Sequence, residues 1–441
     1  MSRTAATSES LPRPTSPGMP VAGRYHVVTL GCKLNQFDSA RAEGILRRGR
    51  YARTDDPRDA DVILLNTCTV TSRADAEGRK LARRLRRLAP AARIVATGCF
   101  AERDPEALRR LGVLDDVVGL SERDRLPEAL LGATECVTGP LWLHFGDRSR
   151  AFLRVQEGCD LACSYCVIPS VRGPGRSVPA DDVLAEVRRL SHAGVREIGL
   201  TGVNTGSWGR DLSPRRELAD LLDALLADEL PVRIRLNSLE PRTVSERIVR
   251  LMKTHAERLV PHVQVPLQNG SDRILARMSR NYRAGFYREL VERLAAEVPD
   301  VCIGADVITG FPGENDADFT ETERLVASLP LAYLHVFSYS VREGTRAAEL
   351  PERVASRTIR ERTRRLRAAS DGMWLAFRRR MLGRTFDALV LSGRRRDGAR
   401  RTLTGNYVEV GVPEAPEGRV VPVRLIGIDP GDATAKGELA A

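Results

Sequence analysis

Long hydrophobic runs are missing from this chain of 441 residues. None approaches the roughly 20 apolar residues that a helix needs to cross a bilayer, which excludes a helical membrane protein. Aromatic residues make up only 5%, which argues against a broad platform for stacking bases. Cysteine is sparse too: eight in a chain this long are too few for a disulfide scaffold. Residues 1–23 lack the apolar core of a secretory leader and, rich in Ser, Thr and Pro, read as a disordered tail. The expected compartment is the reducing cytoplasm, where cysteines serve as ligands or nucleophiles rather than disulfides.

What is present is the balance of a globular protein, 42% hydrophobic and 29% charged. The length suits about three domains. Basic residues exceed acidic ones, 69 against 58, for a net charge of +11. Such an excess points to a polyanionic partner, most simply nucleic acid. Nearly all the cations are Arg, so GC-rich codon usage is the competing, functionless explanation.

Residues 24–140 repeat one pattern three times: a β-branched, apolar run that ends in cysteine. The runs are YHVVTLGC, DVILLNTC and ARIVATGC, closing at Cys32, Cys68 and Cys99. Their separations of 36 and 31 residues each hold one βαβ unit, with helical periodicity over 35–48 and 74–88. A parallel sheet follows, whose strand ends lie along one edge where ligands bind. The three cysteines are thus expected to converge.

Strand and helix signals alternate again from Ala151: FLRVQEG, REIGLTGV, VRIRLNSL, PHVQVPL, CIGADVITG and YLHVFSYS. Helices are predicted between them, over 180–190 and 272–296 among others. Six such units make a partial TIM-type (βα)6 barrel. An Arg-rich helix over about 352–382 leads out of it, and FDALVLSG, RTLTGN, YVEVGV and VVPVRLIGI then predict a small all-β barrel. The fold class is α/β, with segments 1–23, 24–140, 145–378 and 379–441.

The sharpest local signal is Cys159-Asp-Leu-Ala-Cys163-Ser-Tyr-Cys166, directly after the first barrel strand. Structural zinc wants four protein ligands, usually in paired C-x2-C knuckles, and no second knuckle is near. Three thiolates on a compact loop suit a four-iron cubane with one iron left open. Such an iron can chelate S-adenosylmethionine, and zinc is the remaining alternative.

With these motifs in view, the chain resembles the radical S-adenosylmethionine methylthiotransferases from about residue 24 to 430. The resemblance lies in Gly31-Cys-Lys-Leu-Asn35, Asn66-Thr-Cys-Thr-Val-Thr71, Thr97-Gly-Cys99, Glu157 to Cys166 and Gly310-Phe-Pro-Gly-Glu314. Lys33 and the Thr-Cys-Thr-Val-Thr run resemble the branch that acts on threonylcarbamoyladenosine in tRNA. The last segment is similar to the TRAM domain, a small RNA-binding barrel. One departure is Asn269 in Leu267-Gln-Asn-Gly-Ser271, where the family pattern has Ser; a small effect on loop hydrogen bonding is expected.

The resemblance implies two 4Fe-4S clusters, a radical one on Cys159, Cys163 and Cys166 and an auxiliary one on Cys32, Cys68 and Cys99. It further implies that one S-adenosylmethionine methylates a cluster-bound sulfur and a second yields the radical that removes hydrogen from adenine C2. The implied partners are tRNA carrying threonylcarbamoyladenosine at position 37 and an electron donor such as flavodoxin or ferredoxin. The same chemistry on isopentenyladenosine-37 tRNA, or on a ribosomal-protein aspartate, stays open. So does a non-catalytic iron-sulfur RNA-binding protein, although a structural cluster has no need of an open iron.

Other candidates are strand-end residues. Thr201, Gly202 and Asn204 stand where the cofactor's methionine amino group is expected. Asn237, Ser238 and Glu240 end the third barrel strand and can bond ribose or methionine, or merely cap a helix. His262 and Gln264 share a face of the fourth strand, and Gly304, Asp306 and Gly310–Gly313 form an exit where backbone can approach adenine. Cys136 and Cys302, without cysteine neighbours, are expected to be structural. For phosphate contact the candidates are Arg394, Arg395, Arg396, Arg400 and Arg401, with Tyr407 as the one aromatic nearby. Arg172, Arg176 and Arg342 are candidates for a substrate carboxylate at the barrel mouth.

Overall fold

The computed structural model describes residues 21–132, 149–429 and 434–440. The junction between the segments 24–140 and 145–378, Cys136 and all but the end of the predicted tail lie outside the described residues. The chain divides into two compact units. One takes the chain up to Leu30, then Asp38–Cys68, then the described residues from Asp75 to 132. The other takes Gly31–Phe37, Thr69–Ala74 and the remainder.

The first unit is an α/β layer built on β1 (Gly23–Thr29), β2 (Tyr51–Arg53), β3 (Val62–Thr67), β4 (Arg93–Gly98) and β5 (Asp116–Val118). All pair in parallel, in the order β2-β1-β3-β4-β5. Two more strands occur than the three cysteine-terminated runs predict, because β2 and β5 are only three residues each and carry little pattern. Strand alternation sends Leu64 and Val95 to one face, against Ile45 and Leu46 of α1 (Lys33–Arg48). Ile63, Leu65 and Ile94 go to the other, against Ala82 and Leu85 of α2 (Ser72–Leu88). With both faces covered, the strands read as continuous apolar runs. In register, Thr29 lies beside Asn66 and Asn66 beside Thr97, so β1, β3 and β4 finish at one edge. Short helices α3 (Cys99–Arg103), α4 (Pro105–Arg109) and α5 (Leu126–Leu131) complete the unit.

In the second unit, β6 (Arg150–Arg154) is followed by a short antiparallel pair, β7 (Gln156–Glu157) with β8 (Arg176–Ser177), which brackets the cysteine loop and α6 (Ile168–Arg172). Helices α7 (Ala180–His192), α8 (Leu218–Ala227), α9 (Glu246–Thr254), α10 (Asp272–Arg277), α11 (Ala284–Glu297) and α12 (Asp316–Ser328) alternate with β9 (Glu197–Thr201), β10 (Arg233–Leu236), β11 (His262–Gln264), β12 (Cys302–Thr309) and β13 (Tyr333–Ser338). Strands β6-β9-β10 and β11-β12-β13 form parallel sheets, joined through an Ile234–Leu259 bridge. Six parallel strands in chain order make the expected partial TIM-type barrel. No helix among the described residues is long and apolar enough to cross a membrane.

The single helix expected over 272–296 is two helices. Between them Ser279 takes a left-handed φ of 57°, and the Asp272 carboxylate accepts from the Ala284 amide to start the second one. The break turns Arg280 inward, with consequences described below.

Helix α13 (Ser356–Arg380) leads to a closed barrel of β14 (Thr385–Arg394), β15 (Arg400–Thr404), β16 (Glu409–Val412), β17 (Val420–Ile428) and β18 (Ala435–Leu439). The last strand, AKGEL, escapes sequence reading because it has almost no apolar content. Val390, Val408, Val410 and Leu425 of this barrel share one core with Cys302 and Tyr333, which open β12 and β13. The small barrel is therefore seated at the N-terminal ends of the radical-type barrel's strands.

Candidate active site

Chemistry in such barrels takes place at the opposite, C-terminal ends of the strands. There Gly158 adopts a left-handed φ of 71°, and a Cβ on it would lie 1.9 Å from the Pro174 carbonyl oxygen. Only glycine lets the chain turn from β7 into Cys159 while passing this close to its own return strand. The Cys159 amide then donates to the Gly173 carbonyl at 3.1 Å. Ser164 fastens the middle of the loop: its amide donates to Met278 O (3.0 Å), its hydroxyl to Arg277 O (2.8 Å), and its carbonyl accepts from Ala347 N. Gly158→Ala is expected to cost about 1–3 kcal/mol of stability and to make Cys159 react faster with thiol reagents. Thermal unfolding and thiol titration check this; an unchanged protein would remove the turn from the account.

Both sulfur and charge are managed at this loop. The Leu161 amide points at Cys159 Sγ (3.4 Å), and Arg280 Nη1 donates to Cys163 Sγ at 3.0 Å. Burial pushes all three thiols up, Cys166 to about 12. The Arg280 guanidinium at Cys163 and the Leu161 amide at Cys159 oppose that rise without cancelling it, since a cation or an N–H donor beside sulfur favours the thiolate. Arg280 is itself held by an ion pair with Glu240 and lies over the Tyr282 ring, 4.9 Å from its centroid. Sequence reading missed Arg280; its only signal is Ser-Arg-Asn-Tyr interrupting a helical stretch.

The strand-end candidates fall into one group. Thr201 closes β9 and is buried, and the Asn204 amide donates to Gln156 Oε1 at 2.9 Å. Gln156 in turn donates to the Glu157 and Gly158 carbonyls, tying the turn at Gly202 to the cysteine loop. The buried Asn204 Oδ1 and Thr205 Oγ1 have no hydrogen-bond partner. Asn237 Nδ2 donates to the Leu200 carbonyl (3.0 Å), its Oδ1 accepts from Lys33 Nζ, and Ser238, at a φ of 57°, accepts from the Thr205 amide. Lys33 is drawn down to about 8 by burial and by Arg235 and Arg150. Further round, Asp306 accepts from Gln264 (2.5 Å) and lies 3.3 Å from His335 Nδ1, another residue sequence reading missed.

Three thiols of one loop, N–H donors aimed at their sulfurs and orphaned amide and hydroxyl oxygens at the next strand end fit a cluster with a polar cofactor beside it. Among the described residues no three His, Cys, Asp or Glu side chains converge on a single ion; a cubane spreads its thiolates over separate irons.

Several expectations need correction. His262 opens β11 at the wrong end of the barrel: it is fully buried, hydrogen-bonded to Tyr333 (3.0 Å) and stacked on Tyr407 (4.3 Å), and burial holds it neutral. Arg172 is already engaged by Glu157 (3.0 Å) and Asn35 (2.9 Å), and Arg342 donates to Thr69 Oγ1 (2.6 Å), whereas Arg176 is exposed. Gly304 makes room for the Tyr333 ring and Gly310 for Ile359, not for a ligand. Asn269 does more than expected: fully buried, it donates to Glu314 (2.9 Å) and accepts from Ser271 and Thr322. Cys302 is buried in the shared core, as a structural residue would be.

In the small barrel, Arg394 pairs with Glu414, Arg395 with Asp397, Arg400 with Glu417 and Arg401 with Glu409; Arg396 is exposed. Cys68 directly follows β3, Cys99 directly follows β4, and Cys32 lies three residues beyond β1. A Cβ on Gly98 would lie 2.4 Å from the Thr67 carbonyl oxygen, so a glycine is required before Cys99 as before Cys159.

Residues 153–326 match the Radical SAM superfamily, and residues 24–119 match Uncharacterized protein family UPF0004. The threonylcarbamoyladenosine tRNA methylthiotransferase MtaB of Bacillus subtilis is 34% identical over 359 residues, covering 78% of this chain and 79% of the relative. The tRNA-2-methylthio-N(6)-dimethylallyladenosine synthase of Chloroflexus aurantiacus is 34% identical over 441 residues, covering 95% and 92%. Among solved structures, the radical S-adenosylmethionine methyltransferase TsrM of Kitasatospora setae shares the fold at a TM-score of 0.54 and 13% identity, over 74% of this chain and 77% of that one. With a third of its residues identical across most of two such enzymes, the chain belongs to the radical S-adenosylmethionine methylthiotransferase family.

Proposed function

We propose that this enzyme methylthiolates C2 of N6-threonylcarbamoyladenosine at position 37 of tRNA. The broader part, methylthiolation of tRNA with S-adenosylmethionine and a 4Fe-4S cluster, follows from family membership, since both kinds of relative act on tRNA by name. The acceptor is the finer part, and Lys33 carries it. Its ammonium lies half-buried at the strand-end rim with an amide, Asn237 Oδ1, as hydrogen-bond partner instead of a carboxylate. A threonylcarbamoyl group brings a carboxylate to such a cation. An isopentenyl group would leave the cation facing hydrocarbon, which is costly.

On this reading Cys159, Cys163 and Cys166 hold the radical cluster, and Cys32, Cys68 and Cys99 hold an auxiliary one. When bound, the radical cluster and S-adenosylmethionine supply one-electron cleavage of the sulfonium and hydrogen removal from the acceptor carbon. The chain's own residues orient and exclude water. Arg280 donates to Cys163 sulfur, Asn204 and Thr205 offer their free oxygens to the cofactor, and Asp306 fixes Gln264 and His335. Phosphate contact by the small barrel narrows to Arg396, because the other four arginines would first have to leave their carboxylates.

The test is Lys33→Met, which keeps the length and removes the charge. It is expected to raise KM for threonylcarbamoyl tRNA about 10- to 100-fold, the worth of a charged hydrogen bond, and to leave iron content and cleavage of S-adenosylmethionine intact. An unchanged KM would detach Lys33 from the acceptor.

A further inference from the structure

The last strand of the radical-type barrel, β13, pairs with β12 on one side only. Its other edge meets α13, where the Ser370 hydroxyl donates to the Leu334 carbonyl (3.1 Å) and accepts from the Leu334 amide (2.9 Å). Between strand edge and helix opens a pocket of about 420 Å³ that the reaction above does not use. Its size suits one nucleoside. Alternation puts His335 and Phe337 on one face of the strand, and both stand open: the His335 side chain is 51% exposed and Phe337 42%. Phe337 makes no ring contact among the described residues, so its face is free. Gln264 Nε2 donates to Asp306 and lies 2.8 Å from His335 Nδ1. An amide N–H donating to Nδ1 leaves the ring proton on Nε2, where no described residue accepts it. The helix wall is cationic. Arg360, Arg364 and Arg367 recur at helical spacing along one exposed face of α13. The carboxylates around α12 go to their neighbours instead, Glu314 and Asp316 to Arg362 and Glu323 to Arg365. Arg367 donates to the Val336 carbonyl (3.4 Å), and none of the three pairs with a carboxylate among the described residues, although Asp371 also lines the pocket.

We propose that this pocket receives the acceptor nucleotide: its base stacks on Phe337 and accepts from His335 Nε2, while the flanking phosphates lie along Arg360, Arg364 and Arg367. The proposal rests on the reading that the acceptor is a tRNA nucleotide. Single-stranded RNA brings both a π face and phosphates, the two chemistries that an open ring and a row of unpaired arginines accept. An acidic peptide would use the arginines and leave the ring idle. The pocket is also continuous with the strand-end site, because Asp306 reaches His335 and lies close enough to Lys33 to attract its ammonium. A base taken out of its stack pays for the loss of stacking, and an aromatic face returns part of that cost.

The experiment is a cycle between ring and base. It uses the anaerobically reconstituted full chain and a synthetic anticodon stem-loop with either adenosine or an abasic sugar at position 37. Removing the base should weaken binding to the unaltered chain about tenfold and binding to Phe337→Ala by less than about twofold. Phe337→Tyr keeps the ring and should restore the difference. Arg360→Ala with Arg364→Ala should weaken both stem-loops alike and lower the slope of log affinity against log salt by about 0.7 per lost contact. Iron content and thermal unfolding report whether each variant is folded, and Phe337→Leu replaces the alanine variant if that one is not. An equal cost of base removal in the unaltered chain and in Phe337→Ala overturns the site. So does a salt slope that the arginine pair leaves untouched. If the cycle comes out as expected but neither threonylcarbamoyl nor isopentenyl tRNA gains a methylthio group, the function reading fails and the site stands.

Discussion

Cys159→Ala, Cys163→Ala and Cys166→Ala together are expected to leave about half of roughly eight irons per chain and to abolish cleavage of S-adenosylmethionine. Each thiol comes from a loop pinned at Gly158, Ser164 and Gly173. Replacing Cys32, Cys68 and Cys99 is expected to remove the other half of the iron, to leave cleavage and to stop methylthio transfer. Iron analysis, Mössbauer spectra and product chromatography on the two triple variants distinguish these outcomes. Tightly held zinc without iron in both would sink the two-cluster assignment.

The second large effect is expected far from that loop. Glu197, fully buried at the start of β9, accepts from Arg150 (2.8 Å), Arg233 (2.8 Å) and Arg235 (2.9 and 3.0 Å). The spare donors of Arg233 and Arg235 go to the carbonyls of Asp387, Leu403, Thr404 and Gly405 in the small barrel. One carboxylate thus anchors three cations, and main-chain oxygens of the small barrel absorb the excess. Glu197→Gln leaves buried guanidiniums uncompensated and should cost about 3–5 kcal/mol, read from denaturant unfolding. A loss below about 1 kcal/mol would mean that the charges are not coupled as the geometry requires. Burial alone would raise this carboxyl, but the three arginines outweigh it and hold it well below the ordinary range. A depressed carboxyl contributes stability that is present above its unfolded value and lost as pH falls through the folded one. Acid should therefore begin to erode this contribution only below about pH 4.3, and the Gln variant should lack that dependence.

Legibility followed local pattern. The parallel sheet, the six barrel strands and the cysteine loop were readable because β-branched runs, glycine before cysteine and fixed spacing are local properties. The Glu197 cluster was not, since VRIRL reads as a strand whether its arginines meet solvent or a carboxylate. Nor was Arg280, because a six-residue break inside 272–296 looks like weak helix until Glu240 and Cys163 are brought to it by the fold. His262 was misassigned for the same reason: alternation gives the face of a strand, not which end of the barrel the residue occupies. Nor does sequence show that Arg172 is engaged by Glu157 and Asn35, or Arg342 by Thr69, because these partners come from distant segments.

The central claim, methylthiolation directed at threonylcarbamoyladenosine, is tested most directly by nucleoside mass spectrometry. Reconstituted enzyme, a reductant and S-adenosylmethionine are incubated with tRNA bearing threonylcarbamoyl- or isopentenyladenosine at position 37, and the digested products are weighed. The account predicts a 2-methylthio gain on the threonylcarbamoyl nucleoside and none on the isopentenyl one. A gain on the isopentenyl nucleoside alone, or on neither tRNA, would contradict it.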